Sequence, residues 1–133
     1  FGETGASLAL TIDNKPVADL WAGWADGEKT RPWQRDTIAN VYSTTKGIAS
    51  IAFATLVEDG LIDYAAPVRD YWPELTAGRN GLTVGQLLSH QGGLCGLREP
   101  VTVADLYDWD GMIRRIEAEE PHWTPGEGAG YHA

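Results

Sequence analysis

Large apolar side chains occupy every second position from 8 to 12, which predicts a β-strand over 6–12. The alternation resumes over 17–25, and the residues between the two stretches, DNKP at 13–16, have the composition of a turn. We therefore predict an antiparallel hairpin. Trp21 and Trp24 lie in its second strand, and we expect both of them in the core.

Further along the chain the spacing becomes that of helices. Apolar residues recur every three or four positions over 43–59, which predicts a long helix with Ile51 and Leu56 at the centre of its apolar face. The sequence TVGQ at 83–86 matches a capping box and predicts a short helix after it. A third helical pattern covers 108–119. Strands and helices together indicate an α+β fold.

A hairpin followed only by helices is an unbalanced set of elements for a domain. An isolated two-stranded hairpin is marginally stable in water, so helices must cover it or further strands must join it. The chain has 133 residues, enough for one modest domain, and no repeat or linker divides it. We therefore interpret 1–133 as part of a single domain, and we expect a complementary polypeptide or additional sequence to complete the fold.

Composition and charge argue against two classes of partner. Hydrophobic residues make up 43% and charged residues 22% of the chain, as in soluble globular proteins. The net charge of −9 argues against a nucleic-acid partner, because nucleic-acid binding depends on contacts between cationic side chains and phosphates. No apolar run approaches the length that crosses a bilayer, so we expect no membrane partner. The first residues lack the basic and apolar regions of a signal peptide, which favours the cytoplasm.

The candidate chemistry begins at Ser43, three residues before Lys46 at the predicted helix start. Residues three apart share a helix face, and a serine hydroxyl needs a base within reach to become a nucleophile. Unpaired N–H groups at a helix start also suit developing negative charge. A lysine acts as a base only where burial or neighbouring cations lower its pKa. The neighbours Val41, Ile48 and Ala49 are compatible with a partly buried lysine.

The spacing of Ser43 and Lys46 also has a purely structural explanation. An N-cap serine followed by an exposed helical lysine gives the same letters, and the four residues alone favour this explanation. Two features favour chemistry. A lysine in the first turn opposes the helix dipole, and the pattern stands between an extended approach and an apolar helix.

Four stretches in this order and spacing resemble one family across essentially the whole chain. They are VYSTTKG at 41–47, LTVGQLLSHQGGL at 82–94, WTPG at 123–126 and GYHA at 130–133. The chain resembles class C β-lactamases, penicillin-binding DD-peptidases and the esterases that share their fold, and most closely the family VIII carboxylesterases. The resemblance implies a β-lactamase/DD-peptidase-like fold, of which this chain holds the N-terminal hairpin and the helical region.

The resemblance implies a Ser-Lys-Tyr site. Ser43 would be acylated, Lys46 would help to remove its proton, and Tyr131 would be the second acid/base residue. Which of the lysine and the tyrosine is the base in each step stays open. Independently of the resemblance, His132 is next to the predicted site, so we expect it to touch substrate. Trp123 lies in a loop and has two interpretations: it lines a substrate pocket, or it buries apolar area. From local sequence alone, however, a tyrosine in a glycine-rich loop is more often a packing or surface residue.

The chain departs from the family pattern at two points. The pattern of the β-lactamases and DD-peptidases has an asparagine two residues after the tyrosine, where this chain has Ala133. The loss of that amide favours an esterase. The family's third motif, on a later strand, is not within the 133 residues. That strand supplies the second oxyanion N–H, and losing one such donor costs about two to three orders of magnitude in rate.

We therefore expect a serine hydrolase that cleaves short-chain or aryl carboxylic esters through an acyl-enzyme on Ser43. The alternatives are a β-lactamase or DD-peptidase, and a non-catalytic homologue that binds a ligand. Such chemistry needs no cofactor. His90, His122 and His132 do not have the spacing of zinc ligands, so we expect no metal. We interpret His90 as a hydrogen-bonded polar residue near a helix end.

Overall fold

The computed structural model describes residues 2–132, which form two compact units divided between Tyr42 and Ser43. Ala133, the residue that departs from the family pattern, lies outside the described residues. Among the residues that are described, no helix is both long enough and apolar enough to cross a bilayer.

The first unit contains the predicted hairpin. Strand β1 (Gly5–Ile12) pairs antiparallel with strand β2 (Lys15–Gly23). The turn is shorter than predicted, because only Asp13 and Asn14 lie outside the strands and Pro16 is already paired. Both turn residues have left-handed backbones, with φ values of 48° and 59°, as a two-residue hairpin turn of the favoured hand requires.

The prediction that Trp21 and Trp24 are core residues was wrong. Their exposed fractions are 43% and 36%, and Leu8 and Leu20, which face each other across the hairpin, are 58% and 60% exposed. Within residues 2–132 the sheet has two strands. A ribbon of two strands has no second layer of its own, so large apolar side chains on both of its faces stay in contact with solvent.

The long helix of the second unit starts later than predicted. A one-turn 3-10 segment at Tyr42–Thr44 leads into helix α1 (Thr45–Glu58). Leu56 is half-buried as expected, but Ile51 is 64% exposed, and no described residue of α1 is buried. The apolar stripe predicted the helix correctly. It did not predict burial, because burial depends on what packs against the stripe.

The short helices follow local capping chemistry. Helix α2 (Val84–Leu88) begins with the predicted capping box: Gln86 N donates to Thr83 Oγ1 at 3.2 Å, and Thr83 N donates to Gln86 Oε1 at 3.0 Å. Helix α3 (Val103–Tyr107) was not predicted from the sequence. Thr102 and Asp105 form the same reciprocal bonds there, so T-x-x-D was the missed signal. Helix α4 (Trp109–Ala118) matches the prediction.

The buried core of the second unit comes from the segment that runs from the end of α1 to the first residue of α2. Its buried residues are Val68, Leu75, Ala77, Leu82 and Val84, and six half-buried side chains pack around them: Ile62, Trp72, Leu87, Leu88, Leu94 and Ile116. Val68 N donates to Leu82 O at 2.8 Å, which ties the two ends of this segment together. The core therefore fixes the start of α2 and, through it, the loop that follows at His90.

Candidate active site

Ser43 and Lys46 meet where the 3-10 segment passes into α1. Lys46 Nζ lies 3.2 Å from Ser43 Oγ, within hydrogen-bond distance. Tyr42, directly before the serine, has a left-handed φ of 45°, which is uncommon for a residue with a side chain. The N–H of Tyr42 donates to Asn40 Oδ1 at 2.8 Å, which supports this bend. The backbone thus turns sharply just before the predicted nucleophile.

Tyr131 lies beside the same amine. Lys46 Nζ is 5.3 Å from the centre of the Tyr131 ring, within the range of a cation–π contact. The tyrosine is 69% exposed, so solvent and small molecules can approach it. Lys46 therefore contacts both Ser43 and Tyr131, and the structure brings the three predicted residues together.

The surroundings of Lys46 differ in part from the expectation. The lysine is half-buried. Val41 and Ile48, its apolar neighbours in sequence, are 56% and 66% exposed. The aromatic ring of Tyr131 lies against the amine instead. The environment of the lysine thus comes from a residue far away in sequence, which the local pattern could not reveal.

His90 lies at the candidate site, although its sequence context did not predict this. It follows α2 and is hydrogen-bonded, as expected, but its ring also lies 4.8 Å from that of Tyr131 and 4.6 Å from that of His132. Burial lowers the pKa of His90 below its usual value, and repulsion from His132 and Lys46 lowers it further. The feature of the sequence that could have identified His90 is its position within the stretch at 82–94 that resembles the family.

Backbone hydrogen bonds hold the final loop against the residues that follow α2. Gly130 N donates to His90 O at 3.0 Å, and Gly126 N donates to Gln91 O at 3.0 Å. Gly93 takes a left-handed φ of 77°, and a Cβ there would lie 2.4 Å from the carbonyl oxygen of Trp123. Only glycine allows this close approach. The loop that carries Tyr131 is therefore anchored immediately before the tyrosine.

The structure gives His132 and Trp123 different surroundings. His132 lines a mostly apolar cavity of about 320 Å³ together with Cys95 and Met112. Trp123 donates from Nε1 to Gly128 O at 3.2 Å, and its ring lies under the final loop. His132 is thus next to both the site and a cavity, whereas the contacts of Trp123 are those of a loop support. Their contact with substrate stays a prediction.

The assembled groups can perform nucleophilic chemistry at a carbonyl. A hydroxyl, an amine and a phenol lie together at the start of a helix, where backbone N–H groups point outward. Within residues 2–132, no three His, Cys, Asp or Glu side chains are grouped as ligands for a metal ion. Ser43 Oγ lies within hydrogen-bond distance of Lys46 Nζ, and the ring of Tyr131 lies against the same amine. The catalytic roles of the three residues stay predictions.

Known proteins match this chain in sequence. The family model described as Beta-lactamase matches residues 2–133. The esterase/beta-lactamase LipL of Mycobacterium tuberculosis is 44% identical over 130 residues, which cover 97% of this chain and 30% of that protein. The chain thus spans about a third of the length of this relative.

Solved structures match it as well. The crystal structure of a family VIII carboxylesterase superposes with a TM-score of 0.85 at 51% identity, over 98% of this chain and 36% of that one. A penicillin-binding protein homologue from Caulobacter crescentus gives a TM-score of 0.86 at 39% identity, again over 98% of this chain and 36% of the other. The hairpin and helices therefore correspond to the N-terminal part of the β-lactamase/DD-peptidase-like fold, as predicted.

Proposed function

The chain belongs to the β-lactamase family, and on that premise we propose that it is the nucleophile-bearing part of a serine hydrolase that cleaves carboxylic esters. The observation that carries the proposal is the 3.2 Å contact between Lys46 Nζ and Ser43 Oγ. A serine hydroxyl becomes a nucleophile when a base lies within hydrogen-bond reach, and the amine of Lys46 lies within that distance. The homologues are serine hydrolases of the same family.

The proposed reaction has two steps. Ser43 Oγ attacks the ester carbonyl carbon while its proton passes to Lys46 or Tyr131. The bond to the alcohol oxygen then breaks, and the departing alcohol takes up a proton. Water repeats the attack on the acyl-enzyme, which releases the carboxylic acid and restores the serine hydroxyl. The backbone N–H of Ser43 is the proposed first donor to the carbonyl oxygen as it becomes negative.

Two arguments favour an ester over a β-lactam. Ala133 stands where the β-lactamases and DD-peptidases have an asparagine. The solved carboxylesterase is also more similar to this chain in sequence than the penicillin-binding protein homologue is, at 51% against 39%. We propose short-chain or aryl esters as the substrate class. The structural similarity to the penicillin-binding protein homologue keeps a β-lactamase or DD-peptidase as the second candidate.

Exposed apolar side chains support a further part of the proposal. Ile48 and Ile51 on α1 are 66% and 64% exposed, and Leu8 and Leu20 of the hairpin are similarly open. Soluble domains normally cover apolar surface of this extent. We propose that a complementary polypeptide or additional sequence covers it and brings the second oxyanion donor. The complete enzyme, below, is this chain together with that part.

Covalent labelling of the complete enzyme tests the proposal. A fluorophosphonate should add one adduct at Ser43, read by mass spectrometry of the peptide. Ser43→Ala should abolish it, and the control Ser7→Ala, on the exposed hairpin, should not. Labelling that persists in Ser43→Ala would show that another serine is the nucleophile. Absence of labelling in the unaltered enzyme would favour a ligand-binding homologue.

A pair of substrates then separates the candidate activities. The complete enzyme should hydrolyse p-nitrophenyl butyrate with a higher kcat/KM than nitrocefin. A much higher kcat/KM for nitrocefin would assign the enzyme to the β-lactamases instead. Both activities should disappear together in Ser43→Ala, since both depend on the same acyl-enzyme.

A further inference from the structure

We propose that His90 is a positioning residue, which holds Tyr131 against Lys46 by acting as a neutral hydrogen-bond acceptor for His132. This inference rests on the proposed role of Tyr131 in ester hydrolysis. It differs from the sequence-based interpretation of His90, which gave it no part in the site. Three contacts of His90 support it: a backbone hydrogen bond with Gly130, a ring contact with Tyr131, and a hydrogen bond between the imidazoles of His90 and His132.

The backbone of His90 anchors the loop. His90 has a left-handed φ of 60°, an uncommon conformation for a residue with a side chain. Its carbonyl oxygen accepts a 3.0 Å hydrogen bond from the N–H of Gly130. Because Gly130 immediately precedes Tyr131, this bond sets the point from which the tyrosine side chain starts.

The ring of His90 then limits where the phenol ring can lie. The two ring centres are 4.8 Å apart, with the planes tilted by 54°, a favourable aromatic arrangement. Lys46 Nζ lies 5.3 Å from the centre of the same phenol ring. The phenol ring therefore has two neighbours, an imidazole and an amine. If the imidazole is removed, the exposed tyrosine keeps only its contact with the amine of Lys46.

The side-chain contacts determine the protonation state of the pair. His132 Nδ1 lies 2.8 Å from the carbonyl oxygen of Gly130, which can only accept, so His132 Nδ1 carries a hydrogen. The same nitrogen lies 3.2 Å from His90 Nδ1. His90 Nδ1 must then be the acceptor of a shared hydrogen bond, and its ring proton is on Nε2.

Protonation of His90 would therefore break the contact. A second N–H at Nδ1 would point at the N–H of His132 across 3.2 Å. The titratable or charged groups around the imidazole are Lys46, Tyr131 and His132. The lysine and a protonated His132 both oppose a positive charge on His90. The lowered pKa of His90 agrees with this, since burial and these two groups favour the neutral ring.

¹⁵N NMR of the complete enzyme at pH 8 shows which imidazole nitrogen of each histidine carries a proton. Variants of His90 and His132 assign the signals. The proposal expects the proton on Nε2 of His90 and on Nδ1 of His132. A His90 that carries its proton on Nδ1 would overturn the proposal. This reading does not depend on activity, so it stands even if the protein hydrolyses no ester.

Kinetics of two substitutions test the positioning role. His90→Gly keeps the left-handed backbone but removes the ring and the acceptor, and His90→Asn keeps an acceptor that tolerates this conformation. With p-nitrophenyl butyrate we expect His90→Gly to lower kcat about 100-fold with little change in KM, the cost of misplacing a catalytic group by roughly 1 Å. His90→Asn should recover part of that loss.

The dependence of kcat on pH distinguishes a positioning role from a purely structural one. In the unaltered enzyme kcat should fall as the pH is lowered, because His90 takes up a proton. This decrease in kcat should be absent in His90→Gly. His122→Gln, at an exposed histidine outside the site, should leave kcat, KM and the profile unchanged. An unchanged kcat in His90→Gly would refute the positioning role.

Discussion

Lys46 Nζ and Ser43 Oγ lie 3.2 Å apart across the single turn in which the 3-10 segment becomes α1. The two residues are three positions apart in sequence, and the helical rise brings them together without help from distant parts of the chain. This relationship was predictable from sequence for that reason. It also makes the lysine the first residue to test by substitution.

Lys46→Ala should lower the rate of acylation by about two to four orders of magnitude, the usual effect of losing a general base. Lys46→Arg should not restore it, because a guanidinium does not release its proton at neutral pH. The rate of fluorophosphonate labelling of Ser43 measures both. Lys15→Ala, on the exposed hairpin, is the control and should label normally. Full recovery with arginine would contradict the proposed role as base.

Tyr131→Phe removes the hydroxyl and keeps the ring that Lys46 and His90 contact. We expect kcat for p-nitrophenyl butyrate to fall by at least about 100-fold, because one acid/base group is lost. The free energy of unfolding should change by less than about 0.5 kcal/mol, as for most exposed positions. Tyr107→Phe, at a tyrosine that is 88% exposed on α3, should alter neither quantity. Equal kcat in both variants would remove Tyr131 from the mechanism.

Gly130→Ala should displace the final loop. A Cβ at this position would lie 2.7 Å from Trp123 Cη2 and 3.2 Å from Cys95 Cβ, so the loop or the indole must move. We expect a loss of kcat on the order of 100-fold, because Tyr131 follows directly and misplacement by roughly 1 Å has this effect. Gly96→Ala meets no atom within 4 Å and should keep full activity. An active Gly130→Ala enzyme would show that the loop tolerates the shift.

The stability of the complete enzyme should fall as the pH drops below about 6.5, the pKa of a free histidine. The pKa of His90 is lowered in the folded state, so the unfolded chain takes up a proton first as the pH falls. The stabilising effect of a neutral His90 is therefore complete above that pH and is lost as the pH moves toward the lowered value. Urea midpoints at pH 7.5 and 5.5 measure it. The decrease should be smaller in His90→Asn, and an equal decrease would contradict this assignment.

Local rules predicted a large part of the structure. The hairpin, the capping box at Thr83 and the proximity of Ser43 to Lys46 each depend on residues close in sequence. Helix α3 obeyed the same rule, since Thr102 and Asp105 cap it as Thr83 and Gln86 cap α2. It was missed because the expected pattern ends in glutamate or glutamine, whereas aspartate also reaches the N-cap N–H here.

The remainder depended on partners distant in sequence. Ile51 and Trp21 have the pattern of core residues, but a pattern gives the direction of a face and not the layer that covers it. His90 contacts Tyr131 and His132 across some forty positions, and no short motif connects them. The family resemblance predicted Tyr131 as a site residue, whereas the contacts of the His90 imidazole with the final loop were seen only in the structure.

The hydrogen bond from His122 N to Gly93 O, 2.8 Å long, closes the excursion of the chain through residues 94–121. The two ends of this segment therefore lie together, next to the hydrogen bonds that anchor the Tyr131 loop. This segment could therefore be exchanged between relatives as a unit, provided that Leu94 and Ile116 keep their packing on the core and Cys95 keeps its place beside Gly130. Such grafts offer a way to diversify what surrounds the reaction centre while its geometry is inherited intact.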